Sequence, residues 1–76
     1  MEHAMRSVTE CKIGPHVVLL TARDQYNDYS VIEDFTLQVT DTRTNGWLRW
    51  DVGTSRAQAM KCFSRACTMI GAEPRT

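Results

Sequence analysis

The chain has 76 residues, 42% of them hydrophobic and 24% charged, with nine basic and nine acidic side chains in balance. That composition belongs to one small globular domain, residues 1–76, and excludes a disordered polyelectrolyte. Zero net charge gives no general attraction to nucleic acid, and no apolar run approaches the roughly 18 residues a membrane-spanning helix needs.

The opening Met1-Glu2-His3-Ala4-Met5-Arg6 lacks the apolar stretch of a signal peptide, so a cytoplasmic location with no membrane association is expected. The segment that follows carries two signals. Ala4, Met5, Val8 and Cys11 are spaced one, three and three, which is helical, with Gly14-Pro15 as the stop. Val8, Thr9 and Ile13 favour a strand instead, with Gly14-Pro15 as its turn. Of the two, a short helix over residues 3–12 is favoured.

From His16 to Arg23 the chain is apolar at consecutive positions, as in a central strand or one covered on both sides. The polar run Asp24-Gln25-Tyr26-Asn27-Asp28 reads as the turn that follows. Phe35, Leu37 and Val39 alternate with Thr36, Gln38 and Thr40, the period-two pattern of a half-buried strand, which extends back through Val31 and Tyr29. Asn45-Gly46 is a hairpin signal because both residues tolerate positive φ. The next strand, Trp47 to Val52, places Leu48, Trp50 and Val52 on the core side and Trp47 on the opposite, more exposed side. A four-residue loop, Arg43 to Gly46, would set Val39 against Trp50 and Leu37 against Val52. A two-residue loop would set Val39 against Val52, and either choice keeps the apolar residues on one face.

The last element is an amphipathic helix from Ser55 to about Ile70. Ala59, Phe63, Ala66, Cys67 and Ile70 form its apolar stripe. Thr54 or Ser55 can cap its start, Gly71 its end in a left-handed turn, and Pro74 forbids continuation. The fold class expected is α+β: an antiparallel meander of three or four strands, with one C-terminal amphipathic helix packed on one face and a short N-terminal helix if residues 3–12 are helical.

Few residues are arranged for chemistry. Cys11, Cys62 and Cys67 are odd in number and lack a C-x-x-C pair, so they read as reduced thiols serving as small hydrophobes. A disulfide from Cys11 to a helical cysteine is not required by anything in the sequence. His3, expected in a frayed terminus, and His16 have no cysteine or histidine partner at zinc-ligand spacing, so no metal is expected. The four glycines are scattered singly rather than in a phosphate loop. Cys11 and His16 lie five apart with nothing local to activate the thiol. Glu33 and Asp34 are adjacent and alternate faces in a strand. No catalytic residue and no cofactor are expected, and the chain is not read as an enzyme.

Charge is segregated along the sequence. Asp24, Asp28, Glu33, Asp34 and Asp41 occur with no intervening base, whereas Arg43, Arg49, Arg56, Lys61 and Arg65 are interrupted only by Asp51. The polar face of the hairpin holds Thr36, Gln38, Thr40, Arg49 and Asp51 beside Trp47. An exposed Trp next to an Arg is the composition of an interface anchor. The helix start can attract anions, with Arg56, Lys61 and Arg65 adding charge.

With a helical first segment, the α-β-β-β-α order resembles the double-stranded-RNA-binding domain. That family carries a Ser-Lys-Lys-x-x-Lys-like run at this helix start. Here Arg56 is followed by Ala57, and Met60 stands where a lysine would be expected. The resemblance implies nucleic-acid binding through Arg56, Lys61 and Arg65. In size and general character, without a shared motif, the chain also resembles anti-CRISPR proteins, small phage or mobile-element inhibitors of host machinery.

The expectation is a non-enzymatic protein-binding module, possessing Trp47 and Arg49 as anchors and Asp24, Asp28, Glu33 and Asp34 as an acidic surface for a basic partner. Nucleic-acid binding at the helix start, or a small homodimer pairing through an edge strand, are the alternatives.

Overall fold

The computed structural model describes residues 5–26 and 28–72. Four strands form one antiparallel sheet in meander order: β1 (Met5–Ile13), β2 (His16–Tyr26), β3 (Val31–Asp41) and β4 (Gly46–Gly53). One helix, α1 (Arg56–Gly71), follows and packs chiefly over β2 and β3. The α+β expectation therefore holds, with four strands. Among the described residues no helix is long and apolar enough to cross a membrane.

The first element corrects the helical reading. From Met5 the chain is a strand paired along β2, with Met5 opposite Arg23 and Ile13 opposite His16. The β-branched Val8, Thr9 and Ile13 prevail because pairing with β2 satisfies the backbone groups that β1 turns toward it and lays Val8 and Cys11 against the core. A short isolated helix would have no comparable support. Gly14, at φ +58°, and Pro15 make the two-residue connection, with glycine in the positive-φ first position of a II′ turn. Val8 is bulged out of the ladder and packs against the core. The strand removes the α-β-β-β-α order on which the likeness to double-stranded-RNA-binding domains rested. His3 lies outside the described residues.

β2 is central, as its apolar run implied, but only one of its faces is covered. Val18, Leu20 and Ala22 are fully buried beneath α1, whereas Val17 and Leu19 are half-buried on the open face. The run Asp24–Tyr26 belongs to β2 and is not a turn. Tyr26 pairs with Val31, so the connection begins only after Tyr26 and Tyr29 precedes β3. The polar side chains there are held across strands: Gln25 Nε2 donates to Asp34 Oδ2 at 3.1 Å.

The β3–β4 loop has four residues, Thr42 to Asn45, between Asp41 and Gly46. Its length matches the preferred expectation, but its position is one residue earlier. Val39 therefore faces Leu48 and Leu37 faces Trp50. A slip of two residues in pairing keeps every side chain on its expected face. Asn45 alone takes the positive φ, at 59°. Asp41 explains where the strand ends. Its carboxylate accepts from the Arg43 backbone N–H at 2.9 Å and from Arg43 Nη2 at 2.8 Å, and these bonds lower its pKa to about 2.

α1 starts at Ser55, whose Oγ accepts from Gln58 N–H at 3.3 Å. Ala59 and Phe63 are buried against Val18, Leu20, Ala22, Phe35 and Leu37, with Ala66, Cys67 and Ile70 at the margin, so the predicted stripe is the packed face. Gly71 is the last helical residue rather than a left-handed cap. Ala72 closes the helix at φ −88° through bonds to Thr68 and Met69 carbonyls. Pro74 lies outside the described residues.

Candidate functional site

A helix with its side chains is about 10–12 Å across, whereas the outer axes of a four-stranded sheet lie about 14 Å apart. One helix centred on β2 and β3 therefore leaves both edges at its rim. On the β1 side the sequence suits that position, because Thr9 and Cys11 are small. On the β4 side it does not. Leu48 and Trp50 point to the helix side, yet remain 69% and 43% exposed. Trp50 points to the core side, as expected, but stands beyond the reach of the helix.

Between this uncovered part of β4 and the C-terminal half of α1 runs an open groove of about 570 Å³. Val39, Leu48, Trp50, Ala66, Met69 and Ile70 form its apolar lining, with His16 and Asp41 at one end. His16 Nε2 stands 3.8 Å from Asp41 Oδ2. Met69 is itself 65% exposed, so the groove has apolar walls on both sides.

The opposite face of β4 carries the predicted anchor. Trp47 is 59% exposed and opposite Thr40. The Arg49 guanidinium lies 5.0 Å from the Trp47 ring centroid, a cation–π contact. It also donates from Nε and Nη2 to Gln38 Oε1, at 3.1 and 2.9 Å. Gln38 Nε2 in turn donates to Thr40 Oγ1 at 3.2 Å. This chain of contacts holds Trp47 and Arg49 in one arrangement before any partner arrives, which reduces the ordering cost of binding.

The acidic residues do not form one surface. Asp24 and Glu33 are on the helix side, where Arg6 bridges them at 3.0 and 2.7 Å and Arg56 adds a 3.0 Å contact to Glu33. Asp34 projects from the open face, with Arg23 at 3.8 Å. Its pKa is raised by burial and by the charge of Asp51 beside it. Asp28 is exposed in the β2–β3 connection. The acids and bases that alternate in blocks along the sequence are thus largely interleaved by folding.

The basic trio is divided as well. Arg56 lies down on the sheet, 5.4 Å from the Phe35 ring and paired with Glu33. Lys61 and Arg65 are exposed one turn apart on the outer surface of α1. At 100° per residue, Arg56 and Lys61 stand about 140° apart around the helix.

Cys11 and Cys67 meet between β1 and α1 as free thiols. Burial, then a hydrogen bond with Cys11, pushes the Cys67 pKa up to about 11. Among the described residues no three His, Cys, Asp or Glu side chains gather in metal-binding geometry.

The sequence pattern put Trp47 on the exposed side of β4 and turned Leu48, Trp50, Ala66 and Ile70 toward the core, and it did not single out Met69 or a groove. The signal that reveals the groove is the ratio of elements: four strands, one of them rich in large apolar residues, against a single helix. No protein-family model, curated protein or solved structure matches this chain.

Proposed function

We propose that this domain is a protein-binding module whose recognition element is the edge strand β4. The observation that carries the reading is that β4 is exposed along Gly46–Asp51 and projects large apolar side chains from both faces, Trp47 to one side and Leu48 and Trp50 to the other. Edge strands offer unpaired N–H and C=O groups to an incoming strand, and proteins that avoid such pairing guard them with bulges, prolines and charges. β1 is guarded in this way, by the Val8 bulge and by Arg6, Glu10 and Lys12 along its length. β4 has a bulge only near its end, at Val52, and its two charges flank Trp50. Backbone pairing would supply affinity, and the Trp47 platform and Trp50 groove would supply selectivity.

Retention of bound protein by the immobilised chain tests this reading. Trp47→Ala and Trp50→Ala are expected to lose the bound species, while Lys61→Ala combined with Arg65→Ala keeps it. Equal retention by all of these variants would overturn the assignment to β4.

A further inference from the structure

We propose that the partner recognised by β4 is a second copy of this chain, which pairs antiparallel so that Arg49 of each copy faces Asp51 of the other. This inference rests on the β4 reading above and names its occupant.

The backbone groups that β4 leaves free limit how a second strand can pair with it. Thr42 N–H donates to the Pro15 carbonyl at 2.9 Å, so even-numbered residues at this end of β3 bond toward β2 and odd-numbered ones toward β4. Leu48 and Trp50, opposite Val39 and Leu37, therefore direct their backbone groups to β3. Trp47, Arg49 and Asp51 turn theirs outward. In an antiparallel pair of copies, each outward residue must face another outward residue, which leaves few registers.

Charge selects among them. One register sets Arg49 against Arg49, and another sets Asp51 against Asp51; like charges directly opposed disfavour both. Setting Trp47 against Arg49 pairs no opposite charges and leaves Asp51 beyond the overlap. Setting Arg49 against Asp51 makes the opposite-charge pair twice because of the twofold axis, with the regular pairing ending at the Val52 bulge. This register also places Trp50 on the axis, facing Trp50 of the second copy. That position is a non-hydrogen-bonded site, where opposed side chains stand closest.

Two further features fit the same occupant. Asp51 lies against Asp34 on the open face, and an arriving guanidinium would compensate that pair of carboxylates more fully than Arg23 does at 3.8 Å. A zero net charge means that two copies approach without overall repulsion. The perpendicular twofold puts both helices on one face of a continuous eight-stranded sheet, so the two apolar grooves abut along the seam.

Sedimentation or light-scattering mass over micromolar to millimolar concentration tests the proposal. Wild type should pass from 8.7 kDa to twice that mass as concentration rises. Arg49→Asp alone and Asp51→Arg alone each place two like-charge pairs in the interface and should weaken association by about a hundredfold or more. Mixing the two variants restores both pairs, so the mixture should form a heterodimer, which also shows that each variant is folded. A wild-type mass fixed at 8.7 kDa, single variants that dimerise like wild type, or a mixture that stays monomeric would each overturn the proposal. A monomer whose bound protein is still lost on Trp50→Ala would leave the β4 reading intact and assign the edge to a different protein.

Discussion

At the scale of single residues, environment decides what each chemical group can do. Cys67 sits where α1 meets β1, and its thiol titrates near 11 instead of 9.0, chiefly because burial disfavours the thiolate. The thiolate is the nucleophile, so the native protein at pH 8.5 should alkylate at Cys67 far more slowly than the same chain in denaturant. Mass mapping after timed exposure to iodoacetamide checks this, and equal rates in the two states would contradict it. The linkage follows the same sign. The folded state holds this proton more tightly, so the stabilisation is full below about pH 9 and falls as pH rises toward 11. Trp50 illustrates the opposite limit of sequence reading. Its face was legible from alternation, but its exposure depends on how far a helix reaches, which no residue spacing encodes.

At the scale of elements, local signals succeed where the chain's own neighbours satisfy them. Ser55 caps α1 by accepting from Gln58 N–H, and no acidic side chain in the first turn supplements it. Ser55→Ala should therefore destabilise the domain by about 1 kcal/mol, measured from urea unfolding midpoints. A change below a few tenths of a kcal/mol would show that the helix start is held by Arg56 on Glu33 and Phe35 instead. The N-terminal segment shows where local signals compete. Met5, Val8 and Cys11 fit a helical stripe, yet the segment is a strand, because pairing with β2 extends the sheet and brings Val8 and Cys11 against the core. The hairpin register is a milder case: parity was set by the apolar alternation, while the step of two was set by Asp41 binding Arg43 and closing the loop early.

At the scale of the whole molecule, a two-layer sandwich of one helix on four strands divides apolar residues into a covered core and an uncovered rim. Phe35 is fully buried at the centre, whereas Leu48 is 69% exposed at the rim. Phe35→Ala should cost about 3–5 kcal/mol, a large share of the roughly 4–11 kcal/mol expected for 76 residues. Leu48→Thr, examined in dilute monomer, should change stability by less than about 0.5 kcal/mol. Thermal or urea unfolding distinguishes the two, and a comparable loss at both positions would mean that the rim is packed like the core.

The sequence by itself determined the α+β class, the meander order after residue 16, the face of each residue in β3 and β4, and the helix with a cap at Thr54 or Ser55. Each of these depends on period, turn chemistry or capping, which act over a few residues. Only the tertiary structure decided that the first segment is a strand, that the charge blocks interleave through Arg6 and Arg56, and that β4 stands beyond the cover of α1. These outcomes depend on which distant segments meet and on the width of one helix against four strands, and both are properties of the assembled fold.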